Sequence, residues 1–125
     1  MRYVMMLRCD ENFTDAGPPP KELFDRMDEF VAETAKKGNL VSGGGLKHSS
    51  RGAEVRLSKN GKITVTDGPF SEAKEVIGGF AIIEASSKAE AIEHATRFME
   101  LHRDTWKGWE GVSEIREMDP GPPSA

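Results

Sequence analysis

Val76-Ile77-Gly78-Gly79-Phe80-Ala81-Ile82-Ile83-Glu84-Ala85 is the stretch from which the fold can be reasoned. Its length suits a strand. Phe80 to Ile83 are consecutive and apolar, and side chains of a strand alternate between its two faces, so both faces are apolar here. Such a strand belongs in the middle of a sheet and must be covered on both sides. The N-terminal run Arg2 to Cys9 reads the same way, with Tyr3, Met5, Leu7 and Cys9 on one face and Val4 and Met6 on the other.

Working outward, Ser87 precedes Glu90 by three residues, the spacing of a capping box. It predicts a helix with Ala91, Ile92, Ala95, Phe98 and Met99 on one stripe, ending near Leu101 or His102. On the other side, Val55 and Leu57 alternate with polar residues, and Asn60-Gly61 turns the chain tightly into Ile63 and Val65, which predicts a hairpin. Further upstream, Pro18-Pro19-Pro20 leads into a helix from Lys21 in which Leu23, Phe24, Met27, Phe30 and Val31 recur at helical spacing. Gly38-Asn39 stops it. A short strand at Leu40 to Ser42 then meets Gly43-Gly44-Gly45, where the absence of Cβ atoms permits unusual backbone angles or the close approach of another chain or a ligand. A last strand is expected over 111–118 and a disordered tail over 119–125.

The order strand, helix, short strand, hairpin, strand, helix, strand predicts one α+β domain over residues 1–118. It is a ferredoxin-like split βαβ unit with an added hairpin. Two helices cover one face of its sheet. The other face would expose Val4 or Met5, members of the Phe80 to Ile83 run and Val65, and a second copy is the simplest cover, so a homodimer is expected.

Composition narrows the function classes. The 125 residues carry 17 basic and 21 acidic side chains, a net charge of -4 that argues against binding nucleic acid through its phosphates. The lone Cys9 can form neither an intrachain disulfide nor a thiolate zinc cluster, which fits a reducing cytoplasm. The first apolar run is broken by Arg8 and is too short for a leader or a membrane span. His48, His94 and His102 match no local metal motif. No Gly-x-Gly-x-x-Gly opens a helix and there is no P-loop, so neither a metal nor a cofactor is expected.

Two residues stand out for chemistry. Asp67 ends an inner strand beside Gly68-Pro69, where a carboxylate either faces a pocket and acts as a base or caps the turn. His48 follows the triple glycine with Lys47, Ser49 and Arg51 beside it. Its loop either closes over an anionic substrate or simply exposes the histidine. His94 is expected on the solvated face of its helix and His102 on the apolar stripe in a structural role. Trp106 and Trp109 read as core or interface anchors or as pocket walls, and Glu72, Lys74 and Glu75 as solvated surface.

The run Thr66-Asp67-Gly68-Pro69-Phe70-Ser71-Glu72-Ala73-Lys74-Glu75, followed by Gly78-Gly79-Phe80, closely resembles the DGPF-motif proteins of the YCII-related family. The likeness extends through Arg2-Tyr3-Val4-Met5, Leu40 to Leu46 and Phe98 to His102. The resemblance implies a dimeric α+β barrel akin to small enzymes such as muconolactone isomerase, with some relatives acting as dehydrochlorinases. It also implies a His-Asp pair proposed as catalytic, and an association with extracytoplasmic-function sigma factors. The family's helical histidine has no counterpart between Lys21 and Lys37. The expectation is a cofactor-free enzyme doing isomerase- or lyase-like proton transfer on a small organic molecule in the barrel cavity. Asp67 and His48 would be catalytic, and Gly68, Pro69, Phe70 and Arg51 would hold the substrate. The alternative is a non-catalytic ligand-binding or regulatory module that associates with a sigma factor.

Overall fold

The two strands with apolar residues on both faces lie side by side at the centre of the sheet. The computed structural model describes residues 1–70 and 75–121. Its elements are β1 (Arg2–Cys9), α1 (Lys21–Lys36), β2 (Leu40–Gly45), β3 (Ala53–Leu57), β4 (Ile63–Asp67), β5 (Val76–Glu84), α2 (Lys88–Thr105) and β6 (Val112–Glu117). Four strands form an antiparallel sheet in the order β2-β5-β1-β6, with β5 inserted between the two strands that α1 joins, which is the split βαβ arrangement. The remaining pair, β3 and β4, forms a separate two-stranded ribbon.

Register sorts the faces. Tyr3 pairs with Ile83 and Met5 with Ala81, and these residues look toward the helices. Tyr3, Met5, Ile83 and Ala85 are buried against Ala91 and Ala95 of α2, whose small side chains let the helix lie close. Truncating Ile83, 2% exposed, to alanine would cost about 2–5 kcal/mol. A second cluster, Leu23, Leu101 and Trp106, closes the space between the helix ends. On the opposite face Val4 pairs with Ile82 and Met6 with Phe80. Two details of the expected open patch therefore change. Met5 belongs to the helix-covered face, and Val65 sits on the separate ribbon rather than on the sheet.

Local chemistry explains where elements start and stop. Gly38, at φ 79°, ends α1 as its N–H bonds Ala35 O at 3.0 Å and Asn39 N–H bonds Thr34 O at 3.2 Å. The Ser87 hydroxyl accepts from Glu90 N–H, while the Glu90 carboxylate turns back to Ser86 rather than to Ser87. α2 continues past the expected His102 to Thr105, because Arg103, Asp104 and Thr105 carry no breaking residue. β2 runs through the triple glycine instead of ending at Ser42, since all three glycines keep ladder partners on β5. The hairpin turn is looser than a two-residue turn: Gly61 N–H bonds Ser58 O, and Gly61 takes φ 87°, giving a three-residue loop over 59–61.

His94 corrects another expectation. It is half-buried, with its ring 4.8 Å from that of Phe30, and not on a solvated face. His102 is 2% exposed and bonds the Phe98 carbonyl through Nδ1 at 2.9 Å, a structural position. Trp106 is buried and stacks on Trp109 with ring centroids 5.6 Å apart. Residues 119–121 have no regular structure, and 122–125 lie outside the described residues, as do Glu72 and Lys74. Among the described residues no helix is long and apolar enough to cross a membrane.

Candidate functional site

Three chain segments meet at the end of the sheet where β1 and β2 leave it and β5 enters. The first is Asp10-Glu11-Asn12, just past β1. The Asp10 carboxylate accepts from Asn12 N–H, Thr14 N–H and the Thr14 hydroxyl, and these bonds hold its pKa below the ordinary value. The turn so fixed presents Glu11 and Asn12 to the loop that follows β2. That loop leaves the sheet through a bond from Leu46 N–H to Gly78 O at 2.9 Å and then makes a single 3-10 turn, Ser49–Arg51.

Glu11 organises this loop. Its carboxylate accepts from Ser49 N–H at 2.7 Å and from the Ser49 hydroxyl, and lies 3.5 Å from His48 Nε2. The Ser49 hydroxyl in turn accepts from Phe70 N–H at 2.9 Å, so the third segment, Asp67 to Phe70, is tied to the same carboxylate. Gly68 N–H bonds Gly52 O at 2.9 Å, and a Cβ on Gly68 would overlap the Ser49 carbonyl oxygen. Glycine is thus required at 68 by close approach, not by its backbone angle. The Gly68–Pro69 peptide is cis.

The network also sets the state of His48. Ser50 N–H donates to Nδ1 at 3.1 Å, so Nδ1 carries the lone pair and Nε2 the proton, which points to Asn12 Oδ1 at 2.9 Å and toward Glu11. Nε2 is thus oriented by the Asn12 amide oxygen with the Glu11 carboxylate 3.5 Å away, and the Nδ1 lone pair is taken up by Ser50 N–H. In the same contact His48 caps the 3-10 turn, so its ring is held in place.

These segments border a broad cleft of about 1070 Å³. Of the expected site residues, His48, Arg51, Asp67, Pro69 and Phe70 line it, and Gly68 lies behind them against Ser49. Asp67 ends β4 opposite Ala53, on the separate two-stranded ribbon and not on an inner strand as expected, because the hairpin pairs with itself and not with the main sheet. His48 makes its carboxylate contact with Glu11, a residue that sequence reasoning passed over as the polar end of a strand. The only available signal was an acidic residue next to a turn, and a separation of 37 positions in the chain hides the pairing. The polar face of the ribbon, with Glu54, Arg56 and Thr66, also looks into the cleft. Among the described residues, Arg8 of the lining pairs with Glu75 and Glu114, while neutral His48 lies 3.5 Å from Glu11. The lining carries Arg8, Lys47, Arg51 and Arg56 against Glu11, Glu54, Asp67 and Glu75, with Lys47 and Arg51 on the His48 loop. Cys9 is no nucleophile here, because burial, reinforced by the charges of Asp10, Glu11 and Glu75, pushes its thiol pKa up. No group of three or more His, Cys, Asp or Glu side chains is placed to hold a metal ion among the described residues.

Two comparisons bear on these features. An uncharacterised protein of Rhizobium meliloti (strain 1021) is 30% identical over 122 residues, spanning 94% of this chain and 92% of that protein. The sequence model of the YCII-related domain matches residues 1–106 and so takes in β1 through α2 with all three segments of the cleft; the chain belongs to the YCII-related family.

Proposed function

We propose that this protein is an enzyme that moves a proton on a small anionic organic molecule bound in the cleft. The observation that carries the reading is the tie through Ser49 and Glu11 that brings the His48 loop and the Asp67 turn to one lining. In this reading Lys47 and Arg51 bind the substrate's anionic group, Asp67 takes the proton from carbon, and His48 handles the second proton, Nδ1 giving up its bond from Ser50 N–H when it is protonated while Glu11 steadies the imidazolium. The outcome is isomerase- or lyase-like chemistry. Two carboxylates with different tasks suit it: Glu11 is committed to the loop, and Asp67 ends a strand at the cleft.

The test is deuterium wash-in. Small carboxylates with an acidic C–H are incubated with the protein in D₂O and followed by proton NMR. The reading expects wash-in to at least one, lost in Asp67→Asn. A panel with no exchange above the solvent background overturns it. A carboxylate that binds but never exchanges in the wild type supports a ligand-binding module instead.

The working unit in this reading is a homodimer, with the open sheet face against a second copy. Phe80 is 38% exposed, Ile77 44% and Val112 39%, and the ribbon turns Val55, Leu57, Ile63 and Val65 to solvent at 65–71%. Exposure on this scale supports the dimer reading. A sedimentation mass of two chains at micromolar concentration is expected, and a mass of one chain refutes the dimer.

A further inference from the structure

A second space lies on the other side of the sheet, between helices α1 and α2 and strands β1, β2, β5 and β6, with a volume of about 240 Å³. Its walls include Met5, Leu7, Met27, Phe30, Leu40 and Phe98. No Lys, Arg, Asp or Glu side chain lines it. Protein interiors leave few voids larger than a water molecule, and an apolar cavity of about 150 Å³ holds benzene. A space of this size is not a packing defect to be ignored.

Its floor is made by glycines of β2 and β5, and each can be asked why it is glycine. None has a positive φ, the positions with that angle being elsewhere in the chain. A Cβ on Gly43 would meet Phe80 O at 2.8 Å, one on Gly78 the Cys9 sulfur at 3.2 Å, and one on Gly79 the Gly44 carbonyl oxygen at 3.2 Å, so packing accounts for these three. Gly44 and Gly45 have nothing within 4 Å of where a Cβ would stand. Glycine inside a strand is destabilising by about 0.5–1 kcal/mol relative to alanine. At Gly45, which pairs with Gly79 on the face shared with Leu7, neither angle nor contact demands that cost. What glycine leaves there is open volume. Gly43 to Gly45 are exposed, so the volume opens at the β2 edge and a ligand has a way in.

We infer that this cavity binds a small uncharged hydrophobic molecule of one or two rings carrying a single hydrogen-bonding group. Walls without carboxylate or cation disfavour a charged ligand. The Thr34 hydroxyl is already given to Phe30 O at 2.8 Å, which leaves Ser113 and the half-buried His94 to meet the polar group. The site is separate from the cleft and does not depend on its chemistry.

The test uses indole and benzene as probes, with methyl NMR spectra of the full chain. Saturable shifts are expected at Met5, Leu7, Met27 and Leu40. Gly45→Leu should weaken binding by at least about tenfold, the scale of excluding one or two methylene-sized groups. Asp67→Asn should leave it unchanged, which separates this result from the fate of the proton-transfer reading. Should Gly45→Leu fail to fold, Gly45→Ala serves, with a smaller loss. Absence of saturable shifts with both probes, or undiminished binding in a folded Gly45 variant, overturns the inference.

Discussion

The cleft and the cavity lie one residue apart along two neighbouring strands, with Leu46 and Ile77 lining the first and Gly45 and Gly78 the second, yet they are built in opposite ways. At the cleft, backbone is pinned by a carboxylate that accepts two hydrogen bonds from Ser49, and side chains of both charges line the walls. At the cavity, side chains have been removed from the sheet and the walls are apolar. The difference teaches how one small sheet offers two solvents. Polar order is made by hydrogen bonds between segments distant in sequence, whereas apolar space is made by omission.

The glycines give the sharpest way to break this comparison. Gly68→Ala forces a methyl group against the Ser49 carbonyl oxygen and should cost about 3 kcal/mol, read as a lower denaturation midpoint. Glu11→Ala comes next. It leaves the buried Ser49 N–H and hydroxyl without their acceptor and should cost about 2 kcal/mol by the same measurement, with loosening of the His48 loop seen as faster amide exchange at Ser49. Neither change should alter indole binding at the cavity.

Acid sharpens the contrast from the other side. Burial lowers the pKa of His94, with a further push from the Arg97 charge, and burial lowers that of His102 against the raising effect of its bond to Phe98 O. Both rings prefer to be neutral when folded, so the unfolded chain binds their protons first. The stability they contribute is intact above the ordinary value of 6.5 and falls as pH drops below it. Denaturation midpoints should therefore decline below pH 6.5, and His94→Gln should flatten part of that decline. An unchanged slope would place the titration elsewhere. Smallest of all, Gly45→Ala meets no atom and should raise stability by about 0.5 kcal/mol, opposite in sign to Gly68→Ala.

The regular elements were legible because their signals are local. Alternation in Arg2 to Cys9, the apolar run Phe80 to Ile83, the Gly38 stop and the Ser87 cap each act within a few residues, and each element formed where its signal stood. Glycine was less readable. Gly43 to Gly45 lay beyond the expected strand over Leu40 to Ser42, but the sheet kept them as strand because β5 supplied partners. The placement of the hairpin apart from the main sheet was not written in its alternation, which is the same for a ribbon and for a sheet strand. Of the site, the Asp67 to Phe70 turn and His48 were visible as residue types. Their union was not, because it runs through Glu11, whose role depends on contacts 37 or more positions away. His94 was misplaced because α1 crosses the helix face on which it lies, a contact invisible from the helix alone.

The most direct measurement of the proton-transfer account is a pair of numbers for one exchanging carboxylate, its deuterium wash-in rate and its dissociation constant, in the wild type and in Asp67→Asn. The account predicts a rate lower by at least about 100-fold with the dissociation constant unchanged, the signature of a lost proton acceptor. A wash-in rate untouched by the substitution would contradict it.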